Sequence, residues 1–218
     1  MNIKEVIENQ FKELIKKYPS FILYWEDDIG IVKGELNFKA LYNGVVIADT
    51  YTIKIEIPST YPSNLPMTKE IGGRIPLNFH RLANDYLCLE VPTKMKIIFM
   101  QNPTLLFYVE KFVVEYLYGF SYKEKFGRLP YGEHPHGNAG IIDFYKELFG
   151  VTDINSILKF LKILSNSNYR GHHLCPCNSE KKLRNCHGKT IRELMQLDIA
   201  YMFRFDLDVI LRSKTNRF

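Results

Sequence analysis

Residues His172 to Gly188 read His-His-Leu-Cys-Pro-Cys-Asn-Ser-Glu-Lys-Lys-Leu-Arg-Asn-Cys-His-Gly, and no other stretch narrows the possible folds as much. It holds three of the chain's four cysteines and three of its six histidines. Cys175 and Cys177 flank one proline, and Cys186 and His187 follow after a short polar loop. Two pairs of thiol and imidazole ligands so spaced close a four-coordinate shell around one ion and force the chain into a tight knuckle. Zinc suits this donor set, with Zn–S near ~2.3 Å, and four protein ligands leave no open position for chemistry. Cys175, Cys177, Cys186 and His187 are therefore expected to hold a structural Zn2+. The plainer alternative is a disulfide plus a spare thiol. A Cys175–Cys177 bridge would be strained, and three cysteines do not pair evenly. The opening Met-Asn-Ile-Lys-Glu also lacks the apolar leader that would send the chain to an oxidising compartment.

The fourteen residues from Cys175 to Gly188 resemble the SEC-C motif, a zinc knuckle found at the end of the bacterial preprotein translocase ATPase and appended to many unrelated bacterial proteins. The resemblance implies zinc and a docking or stabilising role. Once these ligands are assigned, a single cysteine is left, Cys88.

With 218 residues, 46% of them hydrophobic and 14% aromatic, the chain can bury a sizeable core and is not a disordered one. Its net charge of +5 is compatible with nucleic acid, although such a surplus is usually a solvated surface. No apolar run approaches the ~18 residues of a membrane span. The expectation is a cytoplasmic protein with no membrane partner.

Apolar side chains at Ile3, Val6, Ile7, Phe11, Leu14 and Ile15 have helical spacing, and Tyr18-Pro19 ends that helix. From Phe21 the pattern changes to β-branched and aromatic runs, Phe21 to Trp25, Ile31 to Phe38, Lys39 to Val46 and Tyr51 to Ile57. Asn43-Gly44 among them is a tight-hairpin signal. The result is a helix followed by an antiparallel meander of about four strands, an α+β fold. Residues 58 to 92 lack a period, and a long irregular segment inside a compact domain tends to be functional. Helices are expected from Asn102-Pro103 to a stop at Gly119, at about 139 to 149, from Asp153 to Ser165, and from a capping box at Thr190 to Glu193 onward.

Cys88, among Tyr86, Leu87, Leu89 and Val91, is on its own most simply a small buried hydrophobe. It lies in the irregular segment, however, eight residues after His80, and a folded-back loop would bring the two together. A nucleophilic cysteine needs a favoured thiolate or a group that stabilises the oxyanion formed on attack, and His80 can supply either.

The order of helix, meander, Tyr61-Pro62 with Pro66, a long loop ending in Leu87-Cys88-Leu89-Glu90, then helices resembles a ubiquitin-conjugating (UBC-like) domain. Tyr61-Pro62 and Pro66 are similar to that family's YPxxxP turn. Leu87-Cys88-Leu89 resembles its active-site segment, where the cysteine carries ubiquitin as a thioester. His80 stands where eukaryotic members keep the asparagine of a His-Pro-Asn triplet, and no Pro-Asn is present here. Bacterial UBC-like proteins, including those of cyclic-oligonucleotide antiphage operons, similarly have a histidine eight residues before a Leu-Cys-Leu. They also share a downstream Gly-Glu-His-Pro, here Gly132-Glu133-His134-Pro135 continuing into His136.

The resemblance implies a UBC-like four-strand meander with flanking helices over 1–150. A helix and linker over 151–168 and a zinc knuckle with a C-terminal helix over 169–218 would follow. It implies a transferase with Cys88 and His80 as catalytic residues, and as partners a ubiquitin-like protein, an activating enzyme and a target amine. His134 and His136 would flank the thiol or merely shape a turn. The competing reading is an inactive UBC-like scaffold that binds protein or nucleic acid through the knuckle, where Lys181, Lys182 and Arg184 form the local basic patch.

Overall fold

The structure, a computed structural model, describes residues 2–82, 84–132 and 137–215. It divides into two compact units, Met1–Glu90 with Ile98–Glu133, and Val91–Ile97 with His134–Phe218. The division thus falls before the helix at 138–149 rather than after it. The stretch expected as helix and linker, 151–168, supplies a core helix of the second unit.

The first unit begins with α1 (Ile3–Lys17), capped by the Asn2 side chain and burying Ile7 and Leu14. Its Gln10 Oε1 accepts from the Tyr61 hydroxyl at 2.6 Å and from the Leu105 amide at 2.9 Å, which fixes the helix to two later segments. Strands β1 (Ile22–Glu26), β2 (Ile29–Tyr42), β3 (Val45–Ile57) and β4 (Met67–Glu70) form one antiparallel sheet in chain order. Asn43 and Gly44 both take left-handed φ, 46° and 78°, as a two-residue hairpin turn requires. Ile53, Ile55 and Ile57 alternate inward along β3, and Tyr51 stays buried opposite Leu36.

The expected α+β class and four-strand antiparallel sheet are present, with different strand membership. The run 31–38 continues as one strand to Tyr42, because the β2–β3 register runs unbroken past Phe38↔Asp49 and Lys39↔Ala48. The run 39–46 is cut by the Asn43-Gly44 turn, so Val45 and Val46 open β3. The fourth strand is β4, inside the segment read as aperiodic. Its inward residues are Thr68 and Glu70, so a polar pair occupies the buried face and no hydrophobic alternation marks it.

Next comes α2 (Pro92–Phe99), which no periodicity in the sequence announces; its residues up to Ile97 count with the second unit. Back in the first unit, α3 (Leu105–Tyr108) is capped by Thr104 and continues through a π-helical turn (Val109–Val113) into α4 (Val114–Phe126). Gly119 does not stop this helix. A Cβ there would collide with the Tyr131 hydroxyl, so the glycine makes room for a side chain, and Gly127 ends the helix in left-handed conformation. On the sheet, Arg74 grips Asp49 with two hydrogen bonds of 2.7 and 2.8 Å, pairs with Glu124, and lies over the Tyr51 ring.

The second unit packs α5 (Asn138–Phe149), α6 (Ile154–Ser165), α7 (Gly188–Met195) and α8 (Ala200–Thr215) around one apolar core. Asp153 caps α6 through the amides of Asn155 and Ser156. The expected continuous terminal helix is instead two. Helix α7 starts at Gly188, directly after His187, so Thr190 is interior and not a cap. Left-handed Asp198 marks the break before α8. Asp206 is buried and accepts hydrogen bonds from the Thr93 hydroxyl at 2.6 Å and the Tyr145 hydroxyl at 2.7 Å. Among the described residues no helix is long and apolar enough to cross a membrane.

Candidate functional site

Two places gather the sequence's candidate site residues, one in each unit. In the first unit the chain leaves β4 at Glu70 and loops until it reaches Cys88. Glu70 is buried, and its carboxylate accepts the amides of Arg74 and Ile75 at 3.4 and 3.2 Å and Arg81 Nη2 at 3.1 Å. The Arg81 side chain, 4% exposed against 1% for Glu70, also donates to the Ile75 carbonyl at 2.7 Å and pairs with Asp85. Buried charges persist only when paired and hydrogen-bonded, so this pair gathers four points of an otherwise irregular loop.

Anchored there, the loop doubles back. The Leu87 amide donates to the Thr68 carbonyl of β4, and the Cys88 amide donates to the His80 carbonyl, both at 2.8 Å. Cys88 and His80 thus face each other through their main chains, while the His80 ring packs on Phe79 with centroids 4.5 Å apart. His80 takes a left-handed φ of 41°, which costs a non-glycine residue roughly 1 kcal/mol. The Tyr116 hydroxyl donates to the carbonyls of Phe79 at 3.0 Å and His80 at 3.3 Å, so both carbonyls flanking His80 Cα are held. Cys88 is half-buried, and its pKa is raised from 9.0, first by burial and then by the Glu90 carboxylate. It rests as the thiol at neutral pH. Glu133, His134 and His136 lie outside the described residues.

In the second unit, residues 173–183 form a small hairpin. The Cys175 amide donates to the Lys181 carbonyl at 2.8 Å, and Asn178 and Glu180 turn the chain in left-handed conformation. Among the described residues, Cys175, Cys177, Cys186 and His187 are the group placed to hold a metal ion, with their ligand atoms all within 4.8 Å of one another. None of these cysteines is in a disulfide. His187 Nδ1 lies 3.2 Å from Cys175 Sγ and 3.3 Å from Cys186 Sγ, and Cys177 Sγ lies 3.5 Å from Cys186 Sγ. These separations resemble the ~3.8 Å edges of a tetrahedron built on ~2.3 Å bonds.

The groups that touch these four side chains fit as well. His187 Nε2 donates to the Phe149 carbonyl at 2.9 Å, the tautomer that leaves the Nδ1 lone pair facing the thiols. Burial opposes ionisation of Cys177, but the Ser179 hydroxyl at 3.1 Å and the neighbouring thiols outweigh it and bring its pKa down to about 6. Cys177 therefore ionises before Cys175, whose thiol burial pushes up to about 11. Gly188 closes the motif because a Cβ there would sit 2.7 Å from the Leu183 carbonyl oxygen, too close for any other residue. The four residues the spacing singled out are thus the four brought together. Glu70, Arg81 and Tyr116 were not foreseen, since nothing in their spacing marks them as partners. Comparison with known proteins returns no match: no family model, curated protein or solved structure matches this chain.

Proposed function

We propose that this chain is a ubiquitin-conjugating-like acyl carrier, which takes the C-terminal carbonyl of a ubiquitin-like protein onto Cys88 and passes it to a target amine. The observation that carries the reading is the pairing of the Cys88 amide with the His80 carbonyl. It places the one cysteine outside the metal cluster opposite a histidine, half-buried and approachable, on a loop that follows a helix and a four-strand meander. This is the order of elements of the family it resembles. A bacterial modification pathway acting against phage is part of the same proposal.

In the first step Cys88 Sγ attacks the carbonyl carbon of the activating enzyme's thioester. A new C–S bond forms, the old one breaks, and the departing thiolate takes up the Cys88 proton. In the second step an amine nitrogen attacks the same carbon. The amide bond forms, Cys88 leaves with the electron pair, and the amine's proton returns to it directly or through His80. Exchange between like thiols is nearly isoenergetic, so the protein's contribution is orientation and charge stabilisation, with His80 donating to the oxyanion or orienting the amine. A raised pKa makes Cys88 a slow nucleophile and a poor leaving group. An acyl group once loaded is thereby protected from water.

The metal we assign is zinc, because thiolates with an imidazole in a closed set of four are its structural ligands. Bound there, it cross-links the 173–183 hairpin to the start of α7.

A second reading has one observation in its favour: the raised Cys88 pKa suits an inert scaffold, with exposed Lys181, Lys182 and Arg184 on the knuckle as the docking surface. Co-expression with the genomic neighbours separates the two. A ubiquitin-sized adduct that vanishes with added thiol, and is absent in Cys88→Ala, supports the carrier. No adduct beside an active activating enzyme, together with salt-sensitive RNA binding unchanged in Cys88→Ala, supports the scaffold.

A further inference from the structure

The hydroxyl of Tyr116 reaches, from α4, the same peptide that receives the Cys88 amide. It donates to the Phe79 carbonyl at 3.0 Å and to the His80 carbonyl at 3.3 Å, and the His80 oxygen also accepts Cys88 N–H at 2.8 Å. The ring is buried at 7% exposure, edge-on to Phe79, one helical turn from Phe120, which itself packs on Phe79. The π-helical turn of Val109–Val113 lies directly upstream and sets the helical phase at which residue 116 emerges. Burial keeps this phenol protonated, so it is a permanent donor.

We propose that Tyr116 is a positioning residue for acyl transfer at Cys88, acting by holding the Phe79–His80 peptide and, through the His80 carbonyl, the main chain of Cys88. The inference rests on the carrier reading. The left-handed His80 backbone has two flanking carbonyls, and this single hydroxyl spans both. Without it the Phe79 carbonyl loses the Tyr116 donor and the His80 carbonyl loses one of its donors, and the bearing of the His80 side chain on the Cys88 acyl group changes. Ring packing alone does not do this, because the polar contact runs through Oη.

The test compares wild type, Tyr116→Phe and Phe120→Leu in the full chain with its metal. The probe is ubiquitin activated as its mercaptoethanesulfonate thioester, with free lysine as the amine. Loading of Cys88, the lysine dependence of discharge, and hydrogen exchange of the Cys88 amide are read together with the melting temperature. Loss of one net hydrogen bond is expected to slow discharge of Tyr116→Phe roughly three- to tenfold at saturating lysine. The half-saturating lysine concentration should not move, and the Cys88 amide should exchange faster. Phe120→Leu, which loosens the same packing and leaves the hydroxyl in place, should discharge as wild type does at an equal loss of melting temperature. Equal discharge by wild type and Tyr116→Phe overturns the inference. So does equal slowing in Phe120→Leu, or a Tyr116→Phe chain that does not fold, since each makes the role structural only. A wild type that takes no acyl group removes the carrier reading and this inference with it. When wild type loads, a failure in the comparison of variants falls on Tyr116 alone.

Discussion

His187 Nε2 lies 2.9 Å from the carbonyl oxygen of Phe149, at the last residue of α5. The same imidazole sits edge-on to Phe160, and Phe160 stacks on Phe149 with centroids 4.2 Å apart. One ring therefore belongs both to the Cys/His cluster placed to hold a metal ion and to the aromatic core of the second unit. The knuckle is continuous with that core and is not an appendage joined by a linker.

Metal removal should accordingly loosen more than the knuckle. Chelation is expected to raise hydrogen exchange in α5, α6 and α7 as well as in 171–188, while β2 and β3 keep their protection. Zinc should be found at one ion per chain, with affinity falling on acidification as protons compete for the thiolates. Exchange that rises in 171–188 alone would show that His187 does not couple the two.

Removing one partner of the Glu70–Arg81 pair leaves a buried charge. Glu70→Ala is expected to cost about 3–5 kcal/mol of unfolding free energy in urea titrations. A Glu70→Gln, Arg81→Met double variant should cost clearly less than the single one. A loss below about 1 kcal/mol for Glu70→Ala would show that the pair does not hold the loop.

Two aspartates should act on stability in opposite directions with pH. For Asp49 partial burial opposes ionisation, but hydrogen bonds from Arg74 and Ser121 outweigh it and hold the pKa below 3.8. Its contribution is complete above the unfolded value and is lost as pH falls through the lower folded one. For Asp206 burial dominates and raises the pKa, so the folded state binds its proton more tightly. Its ionisation lowers stability as pH rises from the unfolded value through the folded one. Urea midpoints against pH should therefore show Asp49→Asn flattening the acid limb and Asp206→Asn gaining stability at neutral pH. A neutral-pH loss in Asp206→Asn would contradict this assignment.

The Cys88 thiol should be slow to alkylate at neutral pH, with a rate that keeps rising past the ordinary 9.0. Glu90→Gln removes the nearby carboxylate and should speed alkylation at neutral pH. Iodoacetamide labelling followed on the Cys88 peptide reads both, and an unchanged rate in Glu90→Gln would remove Glu90 from the site's electrostatics.

The legible parts of the chain were those where one physical rule acts locally. Alternating Ile53, Ile55 and Ile57, the Asn43-Gly44 turn, the Asp153 cap and the gathered Cys175, Cys177, Cys186 and His187 each carry their signal within a few residues. What stayed hidden was decided by distant partners. Strand β4 turns Thr68 to Tyr108 and Glu70 to Arg81, so its buried face is polar and mimics a loop. Gly119 imitates a helix end until Tyr131 is seen above it. The eight-residue spacing of His80 and Cys88 suggested that a folded-back loop brings them together, but that their link runs through the main chain, with Tyr116 behind it, depends on how the loop folds back.

The most direct test of the central claim is the intact mass of wild type and Cys88→Ser after co-expression with the genomic neighbours. The carrier reading predicts a wild-type adduct that thiol releases, and in Cys88→Ser an ester of the same added mass that thiol leaves in place. A wild-type chain without added mass, or an adduct that persists in Cys88→Ala, contradicts it.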